Sequence, residues 1–187
     1  MKFNKSQLTA VLAAASSDAT RYNICGVRFE AERMVATDGH RLHMADGEKT
    51  IMGDPVTIAF ESCKRIIKAM GPNDTAEIVE VSEGTIRAAS AVVKVSSGVE
   101  LTCEVIAGVF PDYSKVVPEK SDTKRRLIVS ARYMKELCEA AIKAEGMRKD
   151  SECSIMLELP DDELSPIRVD GQCEHAFTAV LMPQRGN

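Results

Sequence analysis

Asp38, His40 and His43 lie close enough in sequence to suggest acid–base chemistry, and Ser17 and Ser130 are available as nucleophiles. Such chemistry needs companions at set spacings: a nucleophile elbow, a glycine loop that cradles phosphate, or paired carboxylates. None of these motifs accompanies the residues here, so no enzyme is expected and no catalytic residue is assigned. The run Thr37-Asp38-Gly39-His40-Arg41-Leu42 reads first as a turn, because Asp-Gly between two β-like segments is a strong hairpin signal. A turn accounts for Asp38 and Gly39. It gives no reason for a His, an Arg and a Leu to follow directly.

Metal and redox chemistry have no better footing. The six cysteines (Cys25, Cys63, Cys103, Cys138, Cys153 and Cys173) contain no C-x-x-C pair and no His at zinc-ligand spacing. No metal and no cofactor are therefore expected. Thiols scattered over apolar positions suit a reducing cytosol, where cysteine behaves as a small buried hydrophobe. The opening Met1-Lys2-Phe3-Asn4-Lys5 lacks an apolar core of signal-peptide length, and no apolar run approaches the roughly 18 residues of a membrane span. The expected location is the cytoplasm. With 187 residues, 44% of them hydrophobic, the chain can bury a substantial core, and its formal charge of −4 excludes a bulk positive field for nucleic acid. A basic stripe on one face remains compatible with that total.

The elements that must carry these residues repeat along the chain. Leu8, Val11, Leu12 and Ala15 fall on one helical face; Cys63, Ile66, Ile67 and Met70 repeat the spacing before Gly71-Pro72; Met134, Leu137, Cys138 and Ala141 repeat it after Ser130, an expected N-cap. Short apolar stretches precede each helix: Lys2-Phe3, residues 56–60 and residues 127–129. Alternating β-type segments follow: 24–30 and 33–37 after the first helix, 76–81, 85–89, 92–96 and 100–106 after the second, and 154–159, 167–170 and 176–182 after the third. The class is α+β, built from repeated β-α-β-β-β units over about residues 1–53, 54–118 and 119–187. A charged stretch, Glu119 to Arg126, links the last two.

Three runs stand in a telling order: Val35 to Leu42, Gly108-Val109-Phe110-Pro111-Asp112-Tyr113, and Val180-Leu181-Met182-Pro183-Gln184-Arg185. Together they resemble the bacterial DNA polymerase III beta subunit, the sliding clamp, and Arg21-Tyr22-Asn23-Ile24-Cys25-Gly26 matches a further run of that family. The resemblance implies a DNA-clamp fold shortened to about one and a half clamp domains: a whole domain over 1–118, like the clamp's middle domain, and a half-domain over 119–187, like the second half of its last. It also implies a hydrophobic pocket that receives the short linear motif of client proteins, formed by Ile24, Thr37, Gly39, His40, Arg41, Leu42, Pro111, Lys115, Val116, Val180, Met182, Pro183 and Arg185. Lys115 stands where the clamp usually carries Arg, and Gln184 where it often has Met. Both changes bear on client preference, since Lys cannot reproduce planar Arg recognition and Met is the more adaptable contact.

Lys64, Arg65 and Lys68 lie opposite the apolar stripe of the second helix, and Lys5, Arg132 and Lys135 occupy non-stripe positions of the other two. Taken alone these are solvated helix faces. The resemblance makes them DNA-facing, because a ring that slides needs phosphate attraction without base readout. The function it implies is a polymerase processivity factor that encircles double-stranded DNA, irrespective of sequence, as a homo-oligomeric ring. Its partners would be DNA polymerase and other clamp-binding proteins, with a clamp loader as an optional further one. The ring of the family contains twelve such units, which at three per chain favours a tetramer. A second expectation stays open: a non-encircling clamp-like interaction module that competes for or regulates clamp clients.

Overall fold

Asn4 opens the first helix by satisfying two backbone groups at once. Its Oδ1 accepts from the Gln7 N–H at 2.9 Å while its own N–H donates to Gln7 Oε1 at 2.8 Å, a reciprocal capping box. Strand β1 (Lys2–Asn4) thus runs straight into α1 (Lys5–Leu12), whose Leu8, Val11 and Leu12 are buried. Ala15 lies beyond the last turn and is partly buried. In this computed structural model residues 1–49, 54–82, 89–118, 127–144, 154–171 and 177–185 are described.

After α1 come a 3-10 turn (Ala19–Ile24) and the strands β2 (Gly26–Phe29), β3 (Arg33–Thr37) and β4 (Leu42–Asp46). The pattern then recurs: β5 (Val56–Ala59), α2 (Phe60–Ala69), β6 (Thr75–Ser82), β7 (Ser90–Val95) and β8 (Glu100–Glu104). It recurs in part once more, as α3 (Ala131–Ala144), β9 (Ile155–Glu158), β10 (Ile167–Gly171) and β11 (Thr178–Leu181).

The first two stretches are interlocked. The sheets are ordered β1-β6-β7-β8 and β4-β3-β2-β5, so each takes its outer strand from the other repeat. Phe3 stands opposite Ala76, and Ile58 opposite Val27, in antiparallel register. Inward side chains of both sheets and both helices share one core, which holds Phe3, Phe29, Leu8, Met34, Ile58 and Ile66, with the Phe3 and Phe29 rings 5.2 Å apart. Cys63 is buried in it, and burial pushes that thiol's pKa up, as expected of an inert core cysteine.

The chain divides into two compact units, Met1–Val117 and Pro118–Asn187. In the second, the three-stranded sheet β11-β10-β9 and α3 enclose a smaller core of Leu137, Ile167, Val169 and Leu181. Tyr133 N–H reaches Ser130 Oγ at 3.4 Å, a long bond for the expected cap.

Several expected elements differ. Ile24 belongs to the 3-10 turn rather than to the following strand, and Phe60 opens α2 rather than closing β5. Strand β4, the second arm of the Asp38-Gly39 hairpin, supplies the third strand after the helix that a β-α-β-β-β unit calls for. Residues 127–129 form no strand, because a strand needs a ladder partner and none pairs with them among the described residues. The strand expected over 85–89 falls outside the described residues save for Ala89. Among the described residues no helix is long and apolar enough to cross a membrane.

Candidate functional site

Val35 shows how the outer face of a sheet becomes the floor of a cavity. On β3 its neighbours Met34 and Ala36 face the main core, so Val35 points the other way, yet it is fully buried. Ile24 from the 3-10 turn and Phe110 from the segment after β8 cover it, with Leu42 and Tyr113 packed at the margin. Burial of such side chains is worth about 1.5–3 kcal/mol each, enough to hold the 108–116 segment down. Polar ties fix its path. Asn23 Nδ2 donates to the Val109 carbonyl at 3.0 Å, Tyr113 Oη donates to Glu30 Oε2 at 2.7 Å, and the Arg28 guanidinium stands 5.7 Å from the centre of the Phe110 ring.

Above this floor lies a cavity of about 370 Å³ lined by Ile24, Leu42, Pro111, Tyr113 and Val116, with Arg21, Asn23, Thr37, Gly39 and Asp112 at its polar edge. Of the expected pocket residues of this unit, Ile24, Thr37, Gly39, Leu42, Pro111 and Val116 are brought together here. His40, Arg41 and Lys115 are not in the lining: all three are exposed, and Lys115 Nζ turns to Asp112 Oδ2 at 3.3 Å. Arg21, Asn23 and Tyr113 are lining residues that sequence reasoning does not single out, although each sits inside a run that carries the family resemblance.

The loop between β3 and β4 is braced from within. Asp38 Oδ1 accepts from the backbone N–H groups of His40 at 2.9 Å and Arg41 at 3.0 Å, and Arg41 Nε donates to Asp38 Oδ2 at 3.0 Å. The backbone bond from His40, more than the bond from Arg41, holds the Asp38 carboxyl down at about 2. Gly39 has φ +90°, a region side chains disfavour. Thr37 Oγ1 closes the loop by accepting from Gly39 N–H and donating to the Arg41 carbonyl.

In the second unit, a separate cavity of about 680 Å³ is lined by Tyr133, Leu137, Val180, Leu181, Met182 and Pro183, among others. The expected Val180, Met182 and Pro183 meet there, while Arg185 does not line it. Val180 and Met182 are 61% and 57% exposed, large apolar side chains turned to solvent.

The basic residues have mixed surroundings. Lys5 Nζ donates to the Met70 carbonyl at 2.7 Å, just past the end of α2. Lys64 pairs with Glu61 at 3.0 Å, and Arg65 Nη2 ties α2 to the Thr102 carbonyl of β8 at 3.1 Å. Lys68 is exposed in the last turn of α2. On α3, Arg132 faces Glu136 at 3.4 Å and Lys135 faces Glu139 at 3.7 Å. Among the described residues no cluster of His, Cys, Asp or Glu could hold a metal ion.

No family model matches the chain. It is 29% identical over 178 residues, 92% of its length, to the beta sliding clamp of Haemophilus influenzae, and 31% identical over 118 residues, 58% of its length, to that of Rickettsia felis. These matches span 45% and 30% of the two relatives, so the chain corresponds to less than half of either. The crystal structure of the DNA polymerase sliding clamp from Bacillus subtilis superposes over 99% of this chain and 49% of its own, with a TM-score of 0.72 at 17% identity. The fold is that of the DNA clamp, over about half the length of those clamp chains.

Proposed function

We propose that this chain, a shortened relative of the bacterial sliding clamps, is a non-enzymatic processivity factor. It encircles double-stranded DNA as a homo-oligomeric ring and holds DNA polymerase and other clients by their short linear motifs. The carrying observation is the convergence of Ile24, Leu42, Pro111 and Val116 on one apolar cavity with a few polar groups at its edge. Such a slot suits an extended peptide, with apolar anchors setting affinity and the edge setting direction. The second unit offers a separate apolar surface of its own in Val180, Met182 and Pro183, and the DNA-facing role falls to Lys5, Lys64, Arg65, Lys68, Arg132 and Lys135. Tethering by a ring raises the local concentration of polymerase at its template. A tetramer satisfies a ring of twelve units at three per chain, and a loader is a partner only if that ring closes before it meets DNA.

One observation favours the non-encircling module. Lys64, Arg132 and Lys135 each have a carboxylate within 4 Å on the same helix, which weakens the field that phosphates would feel. Gel filtration of the protein with nicked circular plasmid separates the two readings. A ring stays with circular DNA and is lost once the plasmid is linearised; a module that competes for clients shows no such difference.

A further inference from the structure

Each helix in this chain is preceded by a short extended segment, and each segment is tied in the same way to the tail of its own repeat. Glu48 N–H donates to the Lys2 carbonyl at 3.1 Å, just after β4; Ile106 N–H donates to the Thr57 carbonyl at 2.8 Å, just after β8. Gln184 N–H donates to the Ile128 carbonyl at 2.7 Å, just after β11. Lys2, Thr57 and Ile128 each stand three residues ahead of the first helical residue. Residues 127–129 therefore occupy the place of β1 and β5, although they form no strand.

The other side of the segment is where the cases part. β1 is taken up by β6, and β5 by β2: in both, by the first strand that follows the helix of the other repeat. The equivalent strand after α3 is β9, and among the described residues β9 pairs with β10 alone. Burial reports the gap. Leu157 on β9 stands opposite Val169, a fully buried core residue, yet Leu157 is 41% exposed. Phe29 and Ile78, the second inward residues of β2 and β6, are 0% and 7% exposed. Among its described residues the second unit thus carries an apolar strand segment without a ladder and an open edge without a strand, a combination that invites strand addition.

We infer that a second copy of this chain fills both vacancies at once. Residues 127–129 of each copy add as an antiparallel fourth strand along β9 of the other, with Val129 opposite Ile155 and Leu127 opposite Leu157. This register is that of Ile58 opposite Val27 and Val56 opposite Phe29. It also sets Ile128 opposite Met156, which are 49% and 44% exposed in the single chain, as an apolar cross-strand pair on the outer face. A second copy is the fitting partner because the half-unit holds both complements. One two-fold axis satisfies donor segment and acceptor edge together, which is the signature of an isologous interface. The inference rests on the self-assembling part of the reading above and names its contact; it needs neither the DNA nor the client peptide.

The test uses the full chain. Two differently tagged populations, one Ile128→Cys and one Met156→Cys, are mixed and oxidised, with wild-type mixtures giving the background from native thiols. Light scattering across a dilution series and backbone hydrogen exchange accompany it. The expected result is an even-numbered assembly, a disulfide between unlike tags, and slow exchange at 127–129 and 155–157. Leu157→Glu should weaken association at least tenfold. An even-numbered assembly with fast exchange in both segments and no unlike-tag disulfide overturns the strand exchange and leaves self-assembly standing. A monomer at every concentration overturns both.

Discussion

Asp38 and Arg41 are joined side chain to side chain at 3.0 Å, across the tip of the loop whose Thr37, Gly39 and Leu42 border the cavity. The bond turns Arg41 back onto its own loop, which is why a residue so prominent in the sequence does not line the site. Asp38 is therefore read as a brace for Thr37, Gly39 and Leu42.

The brace predicts a pH dependence. Because the Asp38 pKa is depressed from 3.8 to about 2, its contribution is complete above about pH 3.8 and is lost as pH falls through about 2. Amide resonances of His40 and Arg41 should titrate in that acid window. Asp38→Ala should speed hydrogen exchange of both amides severalfold at neutral pH.

Gly39→Ala should cost about 1–2 kcal/mol of stability, since φ of +90° is disfavoured for any side chain. The added Cβ would also stand 2.8 Å from Arg21 Nη1, so the Arg21 side chain must move away from the cavity edge. Urea denaturation checks the first effect, and weaker binding of a clamp-binding peptide checks the second.

Leu42→Ala and Met182→Ala should each lower affinity for such a peptide by about tenfold or more, because buried apolar anchors dominate contacts of this kind. Fluorescence anisotropy with a labelled peptide measures it. Unchanged affinity in both variants would remove the peptide site.

Replacing Lys64 and Lys68 with Ala should reduce duplex binding equally for every sequence and flatten the salt dependence, the slope falling by about 0.9 for each phosphate no longer neutralised. Arg65 is better changed to Lys, because its guanidinium also ties α2 to β8 through the Thr102 carbonyl. Weaker binding to one base sequence alone would place these residues away from a sliding surface.

Phe29→Ala should cost about 3–5 kcal/mol, the usual range for truncating a fully buried aromatic side chain. Because Phe29 packs against Phe3 from the exchanged β1, both halves of the first unit should melt together in a single calorimetric transition.

The fold is legible in the sequence where the signal is local. Leu8, Val11 and Leu12, and likewise Cys63 and Ile66, announce their helices by spacing, and Arg33–Thr37 is a strand by composition. The exchange of β1 and β5 leaves no local mark, since it depends on which distant edges meet. Residues 127–129 have the apolar composition of a strand but form none, because pairing, and not propensity, makes a strand. At the cavity, Ile24 and Leu42 are legible from resemblance and from their apolar character. Arg21 and Asn23 are not, as a polar residue in a 3-10 turn gives no sign of the side it will face. His40 and Lys115 look like pocket residues by position, and neither lines the cavity.

The pairing of Lys2 with Glu77 also sets an order of events on the ribosome. As the chain emerges, β2, β3 and β4 can close as adjacent hairpins, but β1 must wait until β6 has been made before its ladder exists. Long-range closures of this sort slow folding and leave an apolar edge open in the interval. β1 is thus locked later than the β2–β3–β4 hairpins that follow it in the chain, and a nascent chain halted before Glu77 would present Phe3 and the core face of β2 to whatever chaperone or neighbouring chain is at hand.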